Sequence, residues 1–419
     1  MPARWYLATV LAALLSGPSC FAESPQDFPH ATPELFSQIS EMTTTLSKIT
    51  GWPIKRRVPA QMLSQKSFRH YVESHMQGRS TVKELHIEEM TLKMFGMVPQ
   101  DFDLRSETVD LVSEQAAAFY DYHKKRLFVL DSTAEGSDQR MALVHELAHA
   151  LADQQHPLGK YLNKGSPDDD MATAREAVME GQATWLSWAY ESVHSGGQPE
   201  VPERLLDELT KDPDPSSPDF PVFSKAPLYL RESLVFPYNA GMRFQDAVFR
   251  KLGRKAFDEV FTKAPQSTQQ IMDPKAYFED ISPTDPDPPS AVAVAGKDAR
   301  YFRTLTDGSL GEFDVDMLLR QYSGSDLASA HAAEHWRGGA FRLYEDKRDK
   351  HPVLAFNSEW DSPEAARTFF EMYQQVMKGK WKSMQVTSDL AAAVTGTGDS
   401  GHFELRISGS FVQSIEGMK

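Results

Sequence analysis

Apolar side chains recur every three or four residues through much of the first two-thirds of the chain, the spacing of helices that bury one face. Residues 33–49 (PELFSQISEMTTTLSKI) form the first such stretch, and Gly51 to Pro53 end it. The same spacing predicts helices over 64–76 and 81–97, with 54–63 between them as an edge strand, since Pro59 would interrupt a central one. Residues 117–130 (AAFYDYHKKRLFVL) alternate instead, break at a polar turn over 121–125 and resume, which predicts a β-hairpin. From 141 to 151 there is no Pro and no Gly, and Glu146 is the single charge. That pattern predicts a helix buried nearly all round, beginning near 136–138 and ending near His156 and Pro157.

A further helix is predicted over 171–193, and residues 236–241 (FPYNAG) stand ahead of a helical stretch over 242–252. Acidic, Pro-rich residues 211–223 read as an exposed loop, and 281–297, where Pro and Asp crowd, read as a linker. Beyond it 335–345, 353–360, 362–378 and 402–415 read as strand, strand, helix and strand. The expected fold class is therefore α+β: a mostly helical domain over 23–280 with a hairpin or small sheet, then a small α+β domain over 298–419 for which a ferredoxin-like arrangement is one candidate.

The first 22 residues carry one charge, Arg4, then an apolar run over 5–15 and a small-residue ending at Ala22, the pattern of an export signal. Its apolar run is too short to span a bilayer stably. Cys20, the only cysteine, lies inside it, so cleavage after Ala22 leaves no thiol. Lipidation at Cys20 ranks second, because Gly17, Pro18 and Ser19 match a lipoprotein signal poorly. A periplasmic or secreted protein without a stable membrane span follows. The formal net charge is −15 over 419 residues, with no concentration of Lys and Arg to meet phosphates, which argues against a nucleic-acid partner. Oligomeric state is not legible.

Candidate chemistry centres on His145, Glu146 and His149, an H-E-x-x-H pattern. Residues four apart share a helix face, so both imidazoles can reach one metal ion. A catalytic zinc needs a third protein ligand and an open position. Position 155 is Gln155 and position 152 is Ala152, which excludes the extended H-E-x-x-H-x-x-G-x-x-H pattern, and His156 is rotated about 100° away. Glu176 and Glu180, four apart on the next helix, both remain candidates by spacing, one to bind and one to support the site. Asp153, one turn beyond His149, is a candidate to accept the second N–H of that imidazole.

Here the chain resembles the gluzincins, zinc peptidases that add to H-E-x-x-H a glutamate from a later helix. The segment Glu180-Gly181-Gln182-Ala183 is similar to their E-G-x-A element, and the match implies Glu180 as ligand and Glu176 in support. Tyr238 to Gly241 resembles the Y-x-x-G element of gluzincin aminopeptidases, which implies the Tyr238 hydroxyl as donor to a developing oxyanion. A G-x-M-E-N amine-recognition motif is missing, so aminopeptidase specificity is not implied. Together with residues 265–277 (PQSTQQIMDPKAY), these elements resemble a family of exported bacterial gluzincin-like proteins, over about two-thirds of the chain. The resemblance implies a zincin-like first domain and hydrolysis of peptide or protein substrates, with Zn2+ as cofactor and Glu146 as general base. Two rivals stand beside it: a non-catalytic zinc-containing scaffold, and a hydrolase of a non-peptide amide or ester.

Overall fold

The computed structural model describes residues 33–76, 79–131, 137–165, 168–211 and 220–419. The predicted export signal lies outside the described residues, as do positions 212–219 of the predicted loop. The longer helices are α1 (Pro33–Thr50), α2 (Gln65–His75), α3 (Arg79–Phe95), α4 (Leu104–Gln115), α5 (Ser137–Gln155), α6 (Asp169–His194), α7 (Leu228–Leu252), α8 (Glu312–Ser323) and α9 (Pro363–Lys380). Their starts follow local chemistry. Ser64, Asp103, Asp168 and Ser362 each accept a hydrogen bond from a first-turn N–H, and the acidic residues Asp169 and Asp170 occupy the first turn of α6.

One expectation fails at α7. The helix does not begin after residues 236–241 but runs through them, with Pro237 in its interior. Proline supplies no N–H, so the Ser233 carbonyl loses its helical donor there, normally a cost of about 3 kcal/mol. Burial of Phe236, Gly241, Met242 and Phe244 against neighbouring helices outweighs that loss.

A three-stranded sheet in the order β1-β3-β2 joins β1 (Ala60–Leu63) and the hairpin strands β2 (Ala118–Asp121) and β3 (Arg126–Leu130). β1 runs parallel to β3 and β2 antiparallel to it, so β2 is an edge. Leu127, Val129 and Leu130 of the central strand are fully buried.

The C-terminal part is a seven-stranded antiparallel sheet in the order β4-β5-β6-β10-β9-β8-β7, formed by β4 (Phe302–Ser309), β5 (Trp336–Asp346), β6 (Pro352–Trp360), β7 (Gln385–Leu390), β8 (Ala393–Gly398), β9 (Gly401–Ser408) and β10 (Phe411–Met418). Two meanders meet at the β6–β10 pairing, which α9 connects across. That order and strand number replace the ferredoxin-like candidate, and 402–415 proves to be two strands. α9 covers one face, where Trp360 stacks on Phe369 at 4.5 Å and Phe356 meets Tyr373 at 5.8 Å.

The stretch read as a linker is laid on the opposite face. Thr284 N donates to the Arg337 carbonyl, Asn357 Nδ2 to that of Asp287 and Tyr344 Oη to that of Pro289, while Val294 joins a small apolar cluster with Tyr344, Val353, Ala355 and Ile415. The helical part and the sheet also share one continuous hydrophobic core, in which Phe95 packs edge-on against Phe341 at 5.2 Å and Phe236 lies 4.4 Å from Phe313. Lys380, sealed in that junction, donates to the Met94 carbonyl at 2.9 Å and pairs with Glu416, which also accepts from Tyr373 Oη.

The same junction buries Asp170 and Glu312. Burial, reinforced by nearby Asp170 and Asp316 against a hydrogen bond from Gln269, pushes the Glu312 carboxyl up to about 8. A raised folded-state pKa means that its stabilising contribution is full below the ordinary value of 4.5 and is lost as pH rises through about 8. Chemical denaturation of wild type between pH 5 and pH 9 is therefore expected to show a declining stability that Glu312→Gln makes shallower. An identical pH slope in the variant contradicts this assignment.

Candidate metal centre

α5 presents His145 and His149 on one face, and α6 brings Glu180 against them. The three ligand-type atoms form a nearly equilateral triangle: His145 Nε2 lies 3.0 Å from Glu180 Oε2, His149 Nε2 lies 3.2 Å from it, and the two Nε2 atoms are 3.1 Å apart. Metal–ligand bonds of about 2.0–2.1 Å in a tetrahedron imply ligand atoms roughly 3.3 Å apart, so the triangle fits one face of a zinc site. Its chemistry also fits. With each imidazole protonated on Nδ1, three lone pairs would converge on one point, an arrangement that can hold a metal cation. Two imidazoles and one carboxylate suit zinc better than magnesium or calcium, which select oxygen.

Glu180 rather than Glu176 supplies the third corner. Burial alone would raise the Glu180 carboxyl, but the pull of His149 and His145 holds it well below the usual range. Glu176 lies one turn earlier on α6, buried, and lines with Glu180 the wall of a cavity.

The α6–α7 crossing sets the position of Glu180. Gly181 meets Gly241 so closely that a Cβ on Gly181 would stand 2.0 Å from the Gly241 carbonyl carbon. No side chain fits between the helices, and the contact puts Tyr238 at the site. Its ring stacks on that of His145 at 5.8 Å, which leaves its phenol beside the Glu180 carboxylate. Burial, followed by the charges of Glu180 and Glu146, holds the phenol well above its ordinary range, so it stays a neutral donor.

Glu146 projects from α5 towards β2. One of its carboxylate oxygens, Oε2, accepts the Tyr120 N–H at 2.7 Å, which fixes the carboxylate against β2. Burial, only partly offset by His145 and reinforced by the Glu180 charge, pushes its carboxyl up to about 7. Leu130 N donates to the Ala117 carbonyl, so antiparallel alternation turns the main-chain groups of Ala118 and Tyr120 away from β3. Ala118 thus offers an N–H and a C=O to the cavity it lines.

That cavity, about 480 Å³, is walled by His145, Glu146, Glu180 and Tyr238 and by apolar groups such as Phe119, Trp188 and Leu234. Its volume is in the range of small-ligand sites. Three contributors escaped the sequence reading. The Tyr120 donor is a main-chain group and leaves no residue signal. Thr184 and Trp188 did leave one, since positions 176, 180, 184 and 188 share a helix face.

Asp153 departs from expectation. It is buried, but its oxygens accept from Arg56 Nη2, Lys125 Nζ, Tyr120 Oη and the Leu158 N–H, and it makes no hydrogen bond to His149 among the described residues. Its influence on the site passes through Tyr120, whose side chain it holds and whose N–H meets Glu146. His156 bonds Asp258 at 2.7 Å and stacks on Phe261, and Gln155 donates to the Pro53 carbonyl, so neither approaches the triangle.

Residues 300–419 match the family described as Domain of unknown function (DUF8575), a span that contains β4 to β10 and none of the triangle. No curated protein and no solved structure matches the chain.

Proposed function

We propose that this chain is an exported zinc metallopeptidase of gluzincin-like type, with α5, α6 and the small sheet forming a zincin-like catalytic unit. The observation that carries the reading is the convergence of His145 Nε2, His149 Nε2 and Glu180 Oε2 next to the half-buried Glu146 carboxylate at the wall of a cavity. Those three residues would hold the ion. Zinc bound there would lower the pKa of a water molecule from about 15.7 towards about 7 and polarise an amide carbonyl.

The chain's own groups supply the rest. Glu146 takes the proton of the attacking water and returns it to the leaving nitrogen, and a carboxyl held near 7 exchanges protons readily at neutral pH. Tyr238 donates its hydroxyl to the oxygen that becomes negative as the carbonyl carbon turns tetrahedral. An extended substrate aligns by adding to the free edge of β2, with the main chain of Ala118 as its partner. Peptides are favoured over small esters because this edge pairs with a peptide main chain. Among the described residues no helix is long and apolar enough to cross a membrane.

The testing experiment is cleavage of a mixed peptide library with and without a chelator. Cleavage that stops on chelation and returns with one equivalent of zinc, but not of magnesium, is the expected result. Cleavage indifferent to the chelator contradicts the reading. In the same assay Tyr238→Phe is expected to lower kcat by about 10²-fold with KM little altered, the usual cost of one oxyanion donor. An unchanged kcat removes Tyr238 from that role.

A further inference from the structure

One feature of the molecule lies outside the cleft: a set of cations held together at the hairpin-turn end of the small sheet. Gln154 Oε1 accepts from the N–H groups of both Lys55 and Arg56, and its Nε2 donates to the Arg56 carbonyl. Gln155 Nε2 donates to the Pro53 carbonyl, and Lys55 Nζ reaches the Gln154 carbonyl. The segment Pro53 to Arg57 is thereby fixed to the end of α5. Asp153, with no exposed side-chain surface, draws Arg56 and Lys125 onto the same carboxylate, at 3.1 and 2.7 Å. Arg57, Arg126 and Lys160 extend the group, Lys160 because the neighbouring Gly159 abuts the Tyr122 ring of the hairpin turn.

Bringing six cations together costs repulsion, and one buried carboxylate does not neutralise them. In a chain of net charge −15 such a face is unexpected unless it meets something negative. The acids in the patch point inward: Asp153 and Asp121 are buried, and Asp121 accepts the N–H groups of His123 and Lys124. Asp258, bonded by Trp52 and His156, is an exposed acid at the rim. Beside the cations Ile54 stands 42% exposed, an aliphatic side chain directly ahead of three consecutive basic residues.

We propose that this face docks on an anionic lipid surface. Exposed cations on two loops suit a field of headgroups, and an outward aliphatic side chain among them suits the headgroup–acyl boundary. A single-stranded nucleic acid would call for exposed aromatic rings to stack on bases, whereas Trp52 and Tyr122 are buried here. Asp153 and Gln154 then build the platform, which explains their place in the last turn of the motif helix.

The test is co-sedimentation of the full chain with vesicles of phosphatidylcholine alone and of an equal mixture with phosphatidylglycerol. Arg57 and Lys160 suit charge reversal, being exposed and in no ion pair among the described residues. The wild type is expected to bind the anionic vesicles, to ignore the neutral ones and to release at about 0.5 M salt. Each cation near such a surface changes binding by roughly fivefold, so Arg57→Glu with Lys160→Glu is expected to weaken it by on the order of thirty-fold or more. Arg204→Glu, at a residue with a 92% exposed side chain elsewhere, should bind like wild type. The proposal is overturned by failure to bind anionic vesicles, by equal binding to neutral ones, or by equal losses in Arg204→Glu and the double variant. Tighter binding to duplex DNA than to the vesicles also overturns it. Circular dichroism of each variant confirms that it is folded.

Discussion

Gly181→Ala is expected to abolish metal binding without altering a ligand. The new Cβ would stand 2.0 Å from the Gly241 carbonyl carbon and 2.3 Å from its oxygen, and both obstacles are backbone. A flexible side chain could swing aside at little cost; a helix backbone cannot. α6 and α7 must separate, and overpacking of this kind costs about 1–3 kcal/mol or more. Glu180 precedes Gly181 directly and Tyr238 lies three residues before Gly241, so the separation moves a corner of the triangle and its phenol neighbour together. Thermal melts should show a lower Tm than wild type, and a zinc titration should show affinity weakened by orders of magnitude. Wild-type zinc affinity in Gly181→Ala would mean that the crossing does not position Glu180.

Glu146→Gln is expected to have the largest effect on rate and little on fold. Removing a positioned proton-transfer group typically costs about 10²–10⁴-fold, and the amide cannot take its place as a base. Stability runs the other way. The Glu146 carboxyl is pushed up to about 7 chiefly because burial penalises its charged form. Glutamine is close in shape, carries no charge and can still accept the Tyr120 N–H, so the variant should melt at or above the wild-type Tm. Lost activity with equal or higher Tm identifies Glu146 as chemistry rather than scaffold, and a large fall in Tm would count against that assignment.

Much of the fold could be read from periodicity. α1, α2, α3, α5 and α6, and the hairpin β2–β3, lie within a few residues of their predicted bounds, because each buries one face or all faces with a regular repeat. β7 escaped because it is exposed on both sides and therefore shows no alternation. α7 escaped because local chemistry at Pro237 opposes a helix that tertiary packing enforces. Residues 281–297 read as a linker from their Pro and Asp content, yet carbonyls within them accept from Asn357 and Tyr344, partners 70 and 55 residues away.

At the site, His145 and His149 were legible from their spacing alone. Glu176 and Glu180 were equivalent by spacing, and only the rotation of α6 about the Gly181–Gly241 contact separates them. Asp153 was misread because the cations that claim it come from distant sequence, Arg56 from 97 residues before and Lys125 from 28.

The most direct test combines metal content with turnover. Wild type, Glu146→Gln and Glu180→Ala are each loaded with one equivalent of zinc, desalted, assayed for bound metal and incubated with the same mixed peptide library. A zinc-dependent peptidase predicts one zinc per chain in wild type and Glu146→Gln, little in Glu180→Ala, and cleavage by wild type alone. Equal zinc with no cleavage by wild type, or cleavage undiminished in Glu146→Gln, would contradict it.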